Sequence, residues 1–193
     1  HHELSVAALS RMVSEDRSAA QAAAVLETHL SAREDWSTLI SVWRDLLTLT
    51  HELETQTGLR MRIALVYEEA LKDDLAAFEV YRETFRADPS HSPAVVSLEQ
   101  TSARLDDWER YAGVLEEQLP LVPNDDVAQD LHLKLGSVNE KHLGDLETAV
   151  SHYRRVLEIT PEQDDALCAL EKLHEQRAEW AELAEILLAR AEH

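Results

Sequence analysis

The sequence predicts an all-α protein, a right-handed solenoid of stacked antiparallel helix hairpins with about eleven helices. Three observations predict it. The 193 residues are dominated by Leu, Ala and Glu, which favour helix, and hold only 4 glycines and 5 prolines, too few for the many turns of a sheet protein. The sequence repeats itself without a gap. Trp36, Trp108 and Trp180 are spaced by 72 residues, and the same offset carries Leu26 to Leu98 to Leu170 and Ala22 to Ala94 to Ala166. It also carries Val6 to Phe78 to Val150, Leu9 to Tyr81 to Tyr153, and Val13 to Phe85 to Leu157. The third observation is the spacing of apolar residues within each copy, which follows the helical period.

The elements follow in order. Helices are predicted near residues 3–15, 18–32, 34–53, 57–70, 73–87, 93–105, 107–119, 125–142, 145–159, 163–177 and 179–192. In the third copy Leu131, Leu135, Val138 and Leu143 mark one apolar stripe, and Ala149, Val150, Tyr153 and Leu157 mark the next. Ala166, Leu167, Leu170 and His174, then Trp180, Leu183 and Leu187, complete the set. Asn124 and Asp145 are expected to cap backbone N–H groups, and Ser92-Pro93 suits a helix start. Ser18 with Gln21, Ser31 with Glu34, and Asp106 with Glu109 read as reciprocal capping boxes. Pro89 and Pro161 punctuate helix ends, and a break is expected at Thr55-Gln56-Thr57-Gly58. Every connection is short, so sequence neighbours pack as antiparallel hairpins.

Charge and chemistry narrow the function. The formal net charge is −20, which argues against nucleic acid or an anionic membrane as partner. A single cysteine, Cys168, excludes an internal disulfide, and it reads as a buried or groove-lining thiol. No apolar run is long enough to span a bilayer. The 10 histidines form no His-x-x-x-His pair, and the one Glu-x-x-His, Glu171 to His174, stands alone, so no metal site and no cofactor is expected. The pairs Asp73-Asp74, Asp106-Asp107, Asp125-Asp126 and Asp164-Asp165 all fall at helix starts, where carboxylates cap and favour the helix dipole rather than run acid–base chemistry. No phosphate-binding glycine loop and no nucleophile elbow is present. The three periodic tryptophans and Trp43 read as core aromatics rather than a ligand box.

At this point the sequence resembles a known family. Leu135-Gly136, Gly144-Asp145, Ala149, Tyr153, Leu157 and Pro161 are similar to the tetratricopeptide repeat, a helix hairpin of about 34 residues. Leu59 to Pro89 resembles it less closely, keeping Ala64, Ala77, Tyr81 and Pro89. Both carry one extra residue between their helices. The alternate hairpins, such as Ala166 to Ala191, diverge further, with Glu171 at a small-residue position and Trp180 near the second helix.

The resemblance implies a non-catalytic scaffold for protein–protein interaction, with the first helix of each hairpin lining a concave face. Carried over position by position, that face takes Met61, Leu65, Glu68 and Glu69, then Val96, Gln100 and Arg104. It continues with Leu133, Ser137, Glu140 and Lys141, then Cys168, Lys172 and Glu175. Family members that clamp a C-terminal carboxylate use Lys and Asn there. Met61, Leu65, Glu68 and Glu69 depart from that pattern, so the expected partner is a neutral or basic protein segment. Hairpins packed about 8–10 Å apart would give a groove for up to roughly fifteen extended residues. The alternatives are a structural spacer and an accessory domain of a larger enzyme. The chain reads as one solenoid over 1–193, partial at 1–35 and 180–193 around units 36–107 and 108–179, and as a fragment of a longer array or one whose ends associate through Val6, Leu9 and Val13. His1-His2 reads as a tag remnant.

Overall fold

The computed structural model describes residues 19–122 and 124–191. Among them are ten α-helices and no strand. These are α1 (Ala19–Ser31), α2 (Trp36–Leu49), α3 (Leu53–Leu65), α4 (Asp74–Ala87) and α5 (Ser92–Leu105). They continue with α6 (Trp108–Gln118), α7 (Asp125–Val138), α8 (Leu146–Ile159), α9 (Asp164–Gln176) and α10 (Trp180–Ala191). The chain divides into two compact units, His1–Leu105 and Asp106–His193. The first holds the hairpins α1–α2 and α3–α4 with α5, and the second holds α6 with the hairpins α7–α8 and α9–α10. The predicted helix at 3–15 and the Ser18 capping box lie outside the described residues.

The apolar stripes form the cores. Ala22, Leu26, Phe78, Tyr81, Phe85, Ala94 and Leu98 are buried in the first unit. Ala149, Val150, Tyr153, Val156, Ala166, Leu170 and Leu173 form the cluster of the second, with Leu133, Leu146, Leu157, Ala169 and Ile186 packed against it. In the hairpin α7–α8 the Tyr153 ring of α8 packs directly onto Gly136 of α7. A Cβ built there would stand 2.6–2.8 Å from carbons of the Tyr153 ring, so the ring occupies the space that any side chain would need. The equivalent Ala64 is buried with its methyl group in place.

The 72-residue period reaches the backbone. Glu34, Asp106 and Ala178 all take left-handed backbone, with φ of 57°, 52° and 54°. Each ends one helix and is followed by an acidic residue and a tryptophan. Asp35 and Asp107 are the caps of α2 and α6, accepting from Thr38 N at 3.3 Å and Arg110 N at 3.1 Å. The expected capping boxes at Ser31 and Asp106 are thus displaced: Ser31 still belongs to α1, and Asp106 is used to close α5. Lys72 (φ 55°) and Gly144 (φ 71°) form a second left-handed pair, ahead of the caps Asp73 and Asp145. Asp73 accepts from Ala76 N at 2.9 Å and Asp145 from Thr148 N at 3.0 Å. Asn124 caps α7 as expected, accepting from Asp126 N at 2.8 Å.

Three expectations are corrected. The break between α2 and α3 falls at Thr50–Glu52, where Thr50 is extended and its carbonyl accepts from Gln56 Nε2 at 2.5 Å. Thr55 to Gly58 lies inside α3, since Gly58 costs the helix only about 1 kcal/mol. The extra residue in each tetratricopeptide-like hairpin forms no longer loop. It is taken up by π turns at the ends of the first helices, at Val66–Ala70 and Asn139–Leu143. The periodic tryptophans are not core residues. Trp36 and Trp108 are half-buried at the first positions of their helices, and Trp180 is 63% exposed. Trp108 stacks on His142 with ring centroids 3.7 Å apart and meets Tyr111 edge-on. No described helix follows α10 to cover Trp180 in the same way. Trp43 is buried, as is its equivalent Leu115, whereas Leu187 is exposed.

Candidate functional site

The first helices of successive hairpins are joined by ion pairs. In the first unit Arg62 Nη1 of α3 meets Glu27 Oε2 of α1 at 3.0 Å. Arg104 of α5 reaches Glu68 Oε1 in the π turn after α3 at 2.8 Å, and its Nε donates to Asp74 Oδ1 at 2.8 Å. In the second unit Lys172 Nζ of α9 meets Glu140 Oε1 after α7 at 2.7 Å. These pairs link α1, α3 and α5 in the first unit, and α7 and α9 in the second. Four residues singled out in the sequence, Glu68 with Arg104 and Glu140 with Lys172, are brought together by them.

Both acids are held from behind by a tyrosine. Tyr81 Oη donates to Glu68 Oε2 at 2.7 Å, and Tyr153 Oη donates to Glu140 Oε2 at 2.9 Å. Burial first, then the carboxylate bond, pushes both phenols well above their ordinary range. Burial alone would raise the Glu140 carboxyl. Hydrogen bonds from Lys172 and Tyr153 outweigh it and hold the group below its usual value. Arg104 is likewise opposed by burial and raised on balance by Asp74 and Glu68.

Around these pairs the other singled-out residues sort by exposure. Leu65 and Val96 are exposed at 43% and 45% beside the Glu68–Arg104 salt bridge. Helical spacing puts Leu65 on the stripe of Glu68, and Val96 on the stripe of Gln100 and Arg104. Glu69, Gln100, Lys141, Cys168, Lys172 and Glu175 are exposed, while Met61 and Ser137 are half-buried. Leu133 is half-buried too, with its side chain against the second unit's core cluster. Cys168 is a free thiol at the position equivalent to Val96.

One pair was not legible as a site. His132 of α7 and His152 of α8 face each other with Nδ1 atoms 2.9 Å apart. They are 20 residues apart in sequence, outside any single-helix ligand spacing, and only the hairpin pairing brings them together. Burial, then His152 and Arg155, holds the His132 imidazole below its ordinary range, and burial does the same to His152. Among the described residues no three His, Cys, Asp or Glu side chains converge on a common point, and no helix is long and apolar enough to cross a membrane.

No protein-family model and no curated protein matches the chain. Solved structures do. A crystal structure of MamA aligns with a TM-score of 0.53 at 16% identity, covering 85% of this chain and 91% of that one. A second MamA structure aligns with a TM-score of 0.53 at 16% identity, over 90% of this chain and 91% of that one. A tetratricopeptide repeat protein from Parabacteroides merdae aligns with a TM-score of 0.52 at 12% identity, over 91% of this chain and 67% of its own. At these identities the likeness is one of fold. The chain has a tetratricopeptide-like fold of helical repeats.

Proposed function

We propose that the chain is a non-catalytic scaffold that holds a neutral or basic segment of a partner protein against the first helices of its hairpins. The observation that supports this is the face of α3 and α5. There the Glu68–Arg104 ion pair links the end of α3 to α5, while Leu65 and Val96 stay uncovered. Apolar contacts at Leu65, Val96 and Met61 supply affinity. The acidic surface, including Glu69, biases encounter towards neutral or basic sequences. In the second unit Ser137, Lys141 and the exposed Cys168 occupy the matching positions. Self-association is the second contact proposed, through the exposed Trp180, Leu187 and Leu188 of α10. The end expected to associate from sequence, Val6, Leu9 and Val13, lies outside the described residues.

The test is selection from a displayed library of extended peptides with neutral, basic and acidic members, followed by affinity measurement on the enriched sequence. Enrichment of neutral or basic peptides is expected. Val96→Arg should weaken binding by about a hundredfold or more, because a guanidinium would be buried unpaired against the ligand. Arg154→Glu on the exposed side of α8 should change it by less than a few fold. Equal effects of the two substitutions would remove the α3–α5 face from the account and leave a spacer.

A further inference from the structure

We propose that His132 and His152 form an acid-sensitive latch, which holds α7 to α8 through one shared proton and lets go when a second proton enters the facing edge. The two Nδ1 atoms stand 2.9 Å apart, with ring centroids 5.2 Å apart and ring planes tilted by 44°. That spacing is an N–H···N hydrogen bond, in which one ring donates its Nδ1–H and the other accepts at Nδ1. The edge between them has room for a single proton. Because His152 is followed by Tyr153, α8 grips α7 at two points, His132 and Glu140. Losing the first leaves the start of α7 held by apolar packing at Leu131 and by the hydrogen bond that Thr160 Oγ1 donates to Gln129 Oε1.

Each neutral ring carries one proton, on Nδ1 in the donor and on Nε2 in the acceptor. The first added proton goes to the donor's Nε2, away from the contact, and leaves the bond in place. The next can enter only at the acceptor's Nδ1. Both facing edges then carry N–H, no lone pair remains between them, and two like charges meet. Both rings are half-buried, and burial holds both below the ordinary value of 6.5. The unfolded chain therefore binds more protons between the folded values and 6.5, so stability rises with pH across that window. The contribution is complete above the ordinary value and is lost as pH falls through the folded ones. Arg155 and Glu158 of α8, ion-paired with each other at 2.6 Å, are the charged groups whose fields reach His132, and they oppose each other. Among the described residues, Asp130 and Lys134 of α7 and the charged groups of α6 and α9 act on neither ring. At the 72-residue offset the first unit carries Arg60 and Val80, so the latch belongs to the second unit alone.

The test is nuclear magnetic resonance on the isotope-labelled full chain. A nitrogen–nitrogen coupling across the hydrogen bond should join the Nδ1 atoms of His132 and His152 at neutral pH and vanish on acidification. Native-state hydrogen exchange, corrected for its intrinsic rate, then reads the opening of each hairpin. The amides of α7 and α8 should open about tenfold or more often at about pH 5.5 than at about pH 7.5. Those of α3 and α4, which lack the pair, should change by less than about threefold. The double variant His132→Phe, His152→Phe should lose most of the rise in α7 and α8, and His142→Gln should keep it. The coupling and the comparison with α3 and α4 need no substitution, so they stand even if the double variant does not fold. Absence of the coupling at neutral pH, an equal rise in α3 and α4, or a full rise in a folded double variant would overturn the proposal.

Discussion

The phenol of Tyr153 holds the carboxylate of Glu140 from 13 residues further along the chain, at 2.9 Å. Tyr81 holds Glu68 over the same separation at 2.7 Å. In each case the far side of the acid meets a cation from the next hairpin's first helix. The tyrosine and glutamate recur at the 72-residue offset, but the cation does not. Arg104 is equivalent to Gln176, and Lys172 to Gln100. The acid is therefore the fixed point of this face, and the cation reaches it from either of two turns.

Glu140 gives the second unit an acid-sensitive component of stability. Its carboxyl is held below its usual value in the folded chain, with Lys172 and Tyr153 as the favourable partners that outweigh burial. The unfolded chain then binds more protons between the folded value and the ordinary one of 4.5, so stability rises with pH across that window. This contribution is complete above the ordinary value and is lost as pH falls through the folded one. Urea unfolding of the parent and of Glu140→Gln across the acid range should show a smaller pH slope in the variant. Tyr153→Phe, which keeps the ring in place, should cost about 1.5–3 kcal/mol at neutral pH by removing a bond to a charged group.

Gly136 and Ala64 occupy equivalent positions with different room. Gly136→Ala gains helix propensity of about 1 kcal/mol but drives a methyl group into the Tyr153 ring. Overpacking of this kind costs about 1–3 kcal/mol, so a net destabilisation of the second unit is expected. A rise in its thermal midpoint would show that Tyr153 yields without cost.

Lys72 stands at the left-handed position that Gly144 fills in the second unit. A side chain there costs about 1–2 kcal/mol relative to glycine, offset in part by the greater freedom of unfolded glycine. Lys72→Gly is expected to stabilise the first unit by up to about 1 kcal/mol, and Gly144→Ala to destabilise the second by a similar amount. Chemical denaturation of both variants checks the pair of signs together.

Much of this fold is legible because the repeat imposes the same burial on equivalent positions. Leu26, Leu98 and Leu170 are each fully buried, as are Ala94 and Ala166. The caps at Asn124 and Asp145 are also readable, since a side-chain oxygen just before a helix has one good use. The tryptophans are not, because recurrence reports structural equivalence and not depth. Trp108 lies at a helix start, where His142 supplies a stacking partner, and Trp180 has the same backbone setting without that cover. The π turns escape a pattern of 3.6 residues per turn by their nature. The pairing of Glu68 with Arg104, and of His132 with His152, needs helix-to-helix distances that spacing along one helix does not contain.

That difference in depth separates Trp108 from Trp180. Trp108→Ala removes a stack on His142 and an edge contact with Tyr111, and should cost about 2–3 kcal/mol, less than the ~3–5 kcal/mol of a fully buried aromatic. Trp180→Ala, at an exposed position, should cost less than about 1 kcal/mol in the dilute protein. Equal losses would mean that Trp180 is covered in solution, which sedimentation at rising concentration would then detect as association.

Leu133 and Val96 make the last comparison, and it bears on how groove positions are assigned. Both fall on the first-helix face by carry-over from the tetratricopeptide repeat. Val96 is 45% exposed, whereas Leu133 packs against the cluster that contains Ala149, Tyr153 and Leu170. A guanidinium at 133 must either leave that cluster, opening a cavity, or stay without a partner, and either route costs about 3 kcal/mol or more. Leu133→Arg is therefore expected to unfold the second unit cooperatively at reduced temperature, seen as early loss of helix by circular dichroism. Val96→Arg places its charge in water and should move the thermal midpoint by no more than about 2–4 °C, in line with a surface change near 0.5 kcal/mol. A Leu133→Arg chain that melts like the parent would show that the side chain swings clear of the cluster, returning Leu133 to the exposed face with Val96. Early melting of Val96→Arg would put Val96 in the core and shift the α5 stripe by one position along its helix.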